Sequence, residues 1–325
     1  MAFVDSFGRV ATDLRVSLTD RCNLRCTYCM PAEGLPWLPS PELLTDDELV
    51  RLVRLAVQEG VRTVRLTGGE PLLRAGVVGL VARLAGLDVD LALTTNGLSL
   101  TRLAQPLADA GLRRVNVSLD TIRPERFAEL TRRDRFHDVV AGLAAATKAG
   151  LSPVKVNAVP MRGVNDDELA DLLDWCLERG YELRFIEQMP LDPQHSWERA
   201  SLVDAEEILA ALGERHTLTP CDVRGSAPAE TWLVDGGPAK VGVVASVTRP
   251  FCGTCDRLRL TADGQLRTCL FARIESDLRA PMRDGASDEQ LVERMRVAIM
   301  GKKAGHGIDD PGFLQPDRPM SAIGG

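Results

Sequence analysis

The 325-residue sequence predicts an α/β protein in which six parallel strands alternate with helices and a smaller, mostly antiparallel β region follows. Three observations carry this expectation. A unit of helix, glycine and short strand recurs between residues 45 and 188. Polar residues gather where each of these strands ends. Beyond about residue 215 the pattern changes to short strands separated by Asp-Gly turns. The chain is therefore divided into residues 1–215 and 216–325.

The first strand is expected at 14–18, and a Pro-rich irregular stretch at 31–41. Thr45-Asp46-Asp47-Glu48 has the form of a capping box, with Thr hydroxyl and Glu carboxylate satisfying free amides of a first helical turn. Leu49, Leu52, Val53, Ala56 and Val57 make that helix's apolar face, and Gly60 ends it. Strands follow at 61–67, 89–94, 113–119, 154–159 and 182–188, preceded by Gly60, Gly86, Gly111, Gly150 and Gly180. The stretches 77–84, 103–110, 136–149 and 168–179 have helical periodicity. Such alternation implies parallel pairing through right-handed crossovers. Both a partial (β/α)6 barrel and a doubly wound open sheet satisfy it. In a barrel of this kind functional residues lie at the carboxyl ends of the strands. Thr67-Gly68-Gly69-Glu70, Thr94-Thr95-Asn96, Ser118-Leu119-Asp120, Asn157 and Glu187-Gln188 occupy those places. Further on, 231–234, 241–247 and 258–266 suit antiparallel strands, with turns at Asp235-Gly236-Gly237 and Ala262-Asp263-Gly264. Ser287-Asp288-Glu289-Gln290 caps a last helix ending near Gly301, and 304–325 is a Gly-, Pro- and Asp-rich tail with little capacity for core.

Composition narrows the function. Hydrophobic residues make up 45% of the chain, enough for a substantial core, and no apolar run approaches the roughly 20 residues of a membrane span. The N-terminal residues lack the basic and apolar regions of a secretory signal. Eight clustered cysteines indicate metal ligation in a reducing, cytoplasmic compartment rather than disulfides. A net charge of −7 argues against a nucleic-acid surface, but leaves room for a local basic pocket and a small anionic substrate.

The chemistry centres on Cys22-Asn23-Leu24-Arg25-Cys26-Thr27-Tyr28-Cys29, a C-x3-C-x2-C triplet directly after the first strand. The tight spacing argues against three unrelated buried cysteines. An odd number of thiols cannot all pair as disulfides, and structural zinc needs a fourth ligand that this loop lacks. A cuboidal iron–sulfur cluster held at three corners keeps one iron open for a small molecule. Thr67-Gly68-Gly69-Glu70-Pro71 follows the second strand, and its glycines allow close backbone approach beside a carboxylate able to accept from an amino group. A second triplet, Cys252, Cys255 and Cys269, has C-x2-C-x13-C spacing. Zinc completed by a remote Cys221 or Cys176 and an iron–sulfur cluster with an open iron both fit that spacing. Five arginines and two aspartates lie between Arg249 and Arg273. Arg257 and Arg259 share strand parity, and so point the same way; paired guanidinium groups suit phosphate oxygens.

The first triplet with its aromatic Tyr28, together with the Gly-Gly-Glu motif, resembles the radical S-adenosylmethionine (radical SAM) superfamily. That resemblance favours the partial (β/α)6 TIM-type barrel, with the C-terminal antiparallel region closing its mouth. Leu14-Arg15-Val16-Ser17-Leu18-Thr19-Asp20-Arg21-Cys22, the second triplet followed by Arg257-Leu258-Arg259, and the terminal Gly324-Gly325 narrow it. Over nearly its whole length the chain resembles the GTP 3′,8-cyclase family of molybdenum cofactor biosynthesis. The resemblance implies two [4Fe–4S] clusters, one on Cys22, Cys26 and Cys29 that binds SAM, the other on Cys252, Cys255 and Cys269 that faces GTP. It implies SAM contacts at Tyr28, Gly68, Gly69, Glu70, Ser118 and Met189. It implies GTP contacts at Arg15, Arg65, Thr94, Lys155, Arg257, Leu258 and Arg259, with Arg184 and Asn96 as further candidates. The Gly-Gly tail would enter the active site.

The implied reaction begins with one-electron reductive cleavage of SAM to methionine and a 5′-deoxyadenosyl radical. That radical takes hydrogen from the GTP ribose C3′. The carbon radical then attacks guanine C8, and an electron and a proton quench the product, (8S)-3′,8-cyclo-7,8-dihydroguanosine 5′-triphosphate. An electron donor and the downstream cyclic pyranopterin monophosphate synthase are the implied partners of a monomer or homodimer that binds neither nucleic acid nor membrane. Two other readings compete: a radical SAM peptide-modifying enzyme with an auxiliary cluster, and a zinc-stabilised binding module.

Overall fold

The computed structural model describes residues 2–221 and 224–324. Six strands, β1 (Asp13–Ser17), β2 (Thr63–Thr67), β3 (Asp90–Thr95), β4 (Arg114–Ser118), β5 (Val154–Ala158) and β6 (Glu182–Ile186), lie side by side in chain order, all parallel. Helices α1 (Asp46–Gln58), α2 (Val77–Ala85), α3 (Leu100–Asp109), α4 (Pro124–Thr131), α5 (Phe136–Lys148) and α6 (Leu169–Glu178) form the crossovers. The capping box of α1 is formed: Thr45 Oγ1 accepts from the Glu48 amide at 3.2 Å, and the Glu48 carboxylate accepts from the Thr45 amide at 2.8 Å. Gly60, at φ +107°, ends the helix in the left-handed region that glycine enters without strain.

The strands alternate between two different surfaces. One face carries Leu14, Val16, Val64, Leu66, Leu91, Leu93, Val115, Val117, Val156, Leu183 and Phe185, all at most 3% exposed and packed in one hydrophobic cluster with the helices. The other face carries Asp13, Arg15, Arg65, Asp90, Thr94, Arg114, Asn116, Lys155, Asn157, Glu182 and Arg184. Burial under the helices, at roughly 1.5–3 kcal/mol for each large aliphatic side chain, fixes which face turns outward. The charged residues are thereby committed to the inside of the curve.

The C-terminal strands extend this sheet at both edges. β9 (Lys240–Val244) pairs in parallel with β6, and β10 (Arg257–Leu260) pairs in parallel with β1. Outside them β8 (Glu230–Val234) and β7 (Leu218–Pro220) continue antiparallel on one side, and β11 (Gln265–Arg267) and β12 (Ser276–Asp277) on the other. The sheet runs β12-β11-β10-β1-β2-β3-β4-β5-β6-β9-β8-β7 and is not closed. The partial barrel is as expected; that β9 and β10 lengthen its parallel section is not evident from local pattern. Nor are α4, α7 (Ala205–Gly213), the short α8 (Arg279–Arg283) or strands β7 and β12, which the sequence reading did not place. Helix α9 (Asp288–Met300) starts at the Ser287 capping box as expected. Among the described residues no helix is long and apolar enough to cross a membrane.

The tail departs from expectation. Its end turns back over the barrel mouth as α10 (Met320–Ile323), and Ile323 is fully buried against Leu191 and Phe271. Three well-placed apolar groups suffice for this small core, which a composition dominated by Gly, Pro and Asp conceals.

Candidate functional site

A cavity of about 1440 Å³, its mouth included, opens at the carboxyl ends of the parallel strands. Period-two alternation delivers its floor. Arg15, Arg65, Thr94, Asn116, Ser118, Asn157, Arg184, Arg257 and Arg259 project into it from β1, β2, β3, β4, β5, β6 and β10. Register places Arg15 beside Arg65 on one side and Arg259 on the other, and Ser118 beside Asn157, which adjoins Arg184. Loops supply Tyr28, Met189, Phe251, Cys252, Cys255, Cys269, Phe271, His306 and Met320.

The electrostatics of this cavity are one-sided. Burial lowers Arg15 to about 10, with Arg65 and Arg257 adding repulsion and Asp13 only partly opposing it; burial likewise brings Arg65 to about 10 against the pull of Asp13, with Arg184 and Arg114 adding repulsion. Burial and the neighbouring Arg15 and Arg257 push Arg259 far below its ordinary range. Arg15 Nε, Arg65 Nε and Arg257 Nη2 are buried with no hydrogen-bond partner. Deeper in the barrel the charges are matched: Arg114 pairs with Asp90, and Lys155 with Glu182. The unmatched layer suits a polyanion, because buried donors without acceptors cost about 1–3 kcal/mol each.

The first triplet lies in the loop after β1. Burial pushes the Cys29 thiol up to about 12, with the Cys22 thiol adding repulsion. Burial raises Cys26 well above its usual range, and Cys29, Asp120 and Cys22 raise it further; Cys22 is also raised, chiefly by burial. Three thiolates held so close need a cationic body between them, and a cluster of iron ions is such a body. Tyr28 donates to Asp120 Oδ2 at 2.8 Å, tying the loop to the end of β4. Asp120 Oδ1 accepts from the Val159 amide at 2.8 Å, and burial lifts this carboxyl to about 6.

At the second triplet, Cys252 to Thr254 make one 3-10 turn just before β10. Burial alone would raise the Cys255 thiol, but Arg257 and Lys302 more than offset it and hold it below its usual range. Burial raises Cys269, with Cys255 and Cys252 adding to the effect. All six cysteines are free thiols, and the donor sets suit thiophilic metal clusters. Cys176, one suggested remote zinc ligand, is instead buried in the hydrophobic cluster on α6. Among the described residues no three His, Cys, Asp or Glu side chains converge on a single-ion site.

Of the residues singled out from the sequence, Arg15, Tyr28, Arg65, Thr94, Ser118, Met189, Arg257, Arg259 and the second triplet line the one cavity. Others do not. Leu258 alternates outward into the core at 1% exposure. Lys155 lies below the cavity wall, engaged with Glu182. Gly68 and Gly69 make their close approach to backbone, where an added Cβ would collide with carbonyls of Thr19, Asp20 and Arg21. Glu70, 1% exposed, accepts from Thr95 Oγ1 at 2.7 Å and the Asn96 amide at 2.7 Å, as well as from the Leu72 amide at 3.0 Å. Asn96 in turn donates to Asn23 Oδ1 at 2.7 Å, so this network braces the first cysteine loop. Gly324 reaches the site: its carbonyl accepts from Arg259, and a Cβ there would collide with Ser17 Oγ and Thr67 Oγ1. Gly325 lies outside the described residues. Sequence reasoning missed Asn116, His306 and Lys302. The parity shared by Asn116 and Ser118 would have found the first; nothing local marks the other two.

A family profile described as the Radical SAM superfamily matches residues 16–176, and one described as Molybdenum Cofactor Synthesis C matches residues 181–308. A GTP 3′,8-cyclase of Streptomyces coelicolor is 65% identical over 327 residues, covering 99% of this chain and 96% of that protein. One from Mycobacterium sp. (strain KMS) is 59% identical over 326 residues, covering 99% and 93%. Among solved structures, Streptococcus suis SuiB bound to precursor peptide SuiA superimposes with a TM-score of 0.62 at 14% identity, over 94% of this chain and 68% of that one. Methylornithine synthase gives 0.51 at 18% identity, over 63% and 62%. At such identities these two structures speak for the fold alone.

Proposed function

The chain belongs to the GTP 3′,8-cyclases of the radical SAM superfamily, and is an enzyme of that type in molybdenum cofactor biosynthesis; from this premise we propose how its residues divide the work. Cys22, Cys26 and Cys29 hold one [4Fe–4S] cluster and SAM. Cys252, Cys255 and Cys269 would hold a second [4Fe–4S] cluster on the GTP side of the cavity. Residues 1–215 thus serve SAM and supply part of the GTP side, and residues 216–325 complete it. The observation that carries this reading is the layer of arginines, without ion-pair partners among the described residues, that lines the cavity beside the second triplet, with orphaned donors on Arg15, Arg65 and Arg257.

When bound on Cys22, Cys26 and Cys29, the first cluster would pass one electron from an external reductant to SAM and so supply the radical chemistry that the conversion of GTP requires. The chain's own part is placement and exclusion. Arg15, Arg65, Arg257 and Arg259 donate to the triphosphate, with Thr94 and Arg184 beside them. Lys155 joins them once its pairing with Glu182 loosens, and Leu258 contributes through its backbone. Tyr28, Ser118 and Met189 border SAM, and Gly68, Gly69 and Glu70 hold the cysteine loop at its methionine end. Phe251, Phe271 and α10 keep water from the reacting atoms. The same arginines would shield charge during the final reduction. An electron donor and the downstream cyclic pyranopterin monophosphate synthase would be the protein partners of a cytoplasmic monomer or homodimer.

The test is 5′-deoxyadenosine formation by anaerobically reconstituted protein with SAM and a reductant, with and without GTP. Strong stimulation by GTP and a new cyclised guanine nucleotide are expected. SAM cleavage indifferent to every nucleotide would remove GTP from the site.

A further inference from the structure

Two buried cations bracket the second cysteine triplet from outside the cavity, and neither has a part in the reading above. Lys302, 5% exposed, follows α9 and directs its ammonium at the start of β10. It donates to the Cys255 carbonyl at 2.8 Å and to the Arg257 carbonyl at 3.1 Å, and its Nζ lies 3.7 Å from Cys255 Sγ. No carboxylate among the described residues forms an ion pair with it. Arg9 arrives from the N-terminal segment. Its guanidinium is anchored by Asp5 at 2.6 Å and donates to the Cys252 carbonyl at 2.6 Å, the Ala304 carbonyl at 3.0 Å and the Lys303 carbonyl at 2.7 Å. The N-terminal segment and the stretch after α9 therefore meet at the two cysteines of this turn.

A buried ammonium without a counter-charge is costly. The sulfur of Cys255 is the group beside Lys302 able to carry the missing negative charge. Three thiolates around an iron–sulfur core carry a net negative charge in total, and hydrogen bonds to the sulfurs are among the factors that set a cluster's reduction potential. We propose that Lys302 and Arg9 form a cationic clasp: Arg9 seats the Cys252 turn, and Lys302 donates to Cys255 Sγ and raises the electron affinity of the cluster held there. Both are positioning residues. The proposal rests on the assignment of a second cluster to Cys252, Cys255 and Cys269.

Iron content and redox titration followed by EPR, on anaerobically reconstituted full-length protein, test it. The wild type is expected to load about eight irons per chain, four for each cluster. Lys302→Met keeps the first cluster, and its second cluster is either reduced at a lower potential than in the wild type or lost. Lys302→Arg, which keeps the charge, restores both content and potential. Arg9→Gln lowers second-cluster iron while leaving the first intact. A Lys302→Met protein with wild-type content and potential overturns the proposal, as does a Lys302→Arg protein indistinguishable from Lys302→Met. A wild type that loads about four irons overturns the second-cluster assignment itself, a different failure read from a different sample.

Discussion

Replacing Arg65 with Met should make the ligand-free protein more stable and the nucleotide response weaker. The two changes share one cause. Burial, Arg184 and Arg114 bring Arg65 down to about 10. For a base, a lowered folded-state value means the folded protein binds that proton less well than the unfolded chain does. Its charge therefore costs stability at every pH below about 10, and the cost fades only as pH rises through that value. At about 1.4 kcal/mol per pH unit, the burden is on the order of 3 kcal/mol. Met follows the side chain's aliphatic stem as far as Nε and carries no orphaned nitrogen. Cluster-free Arg65→Met should accordingly gain on the order of 2–3 kcal/mol in urea unfolding near neutral pH. Losing a charged hydrogen bond to phosphate, worth about 1.5–3 kcal/mol, should weaken GTP binding by roughly 10- to 100-fold. The paired measurement is denaturant unfolding and calorimetric GTP titration of the same cluster-free protein. An Arg65→Met protein that is destabilised and binds GTP like the wild type would refute the reasoning, because the charge would then be matched by something other than nucleotide.

Three further outcomes follow from single sites. Gly324→Ala should release the tail, since φ is +84° and the new Cβ would collide with Ser17 Oγ and Thr67 Oγ1; faster proteolytic loss of residues beyond about 310, with unchanged urea stability of the barrel, checks it. Asp120, raised to about 6 by burial, retains its proton when folded over a range where the unfolded chain has lost it, so wild-type stability should fall as pH rises from about 4 to 6; Asp120→Asn should flatten that slope in unfolding of cluster-free protein at pH 4, 5, 6 and 7. Cys26→Ala should abolish 5′-deoxyadenosine formation, whereas Cys269→Ala should keep SAM cleavage and lose the cyclised nucleotide, with about four irons missing in each variant by iron analysis.

Much of the site was legible because its signals are local. A cysteine spacing, a capping box or a strand's alternation is decided by a few consecutive residues, as Thr45 with Glu48 and Arg257 with Arg259 illustrate. Glu70 shows where such reading falls short. Beside two glycines it resembles a ligand carboxylate, and its oxygens accept from groups 25 and 26 residues away, at the end of β3 and just after it. Leu258 lies between two arginines in sequence, yet the pleat sends it to the opposite face.

By itself the sequence determined the order of six parallel strands, the helices between most of them, the outward hydrophobic face and both cysteine triplets. Each follows from periodicity or spacing that short-range sterics and burial enforce. The tertiary structure alone decided that β9 and β10 join the barrel's two edges in parallel, that the tail buries Ile323 and meets Arg259, and that Arg9 and Lys302 converge on Cys252 and Cys255. Those contacts span 243 residues for Arg9 with Cys252 and 47 for Lys302 with Cys255. No window of neighbouring residues contains both partners, and only the folding of the whole sheet brings them together.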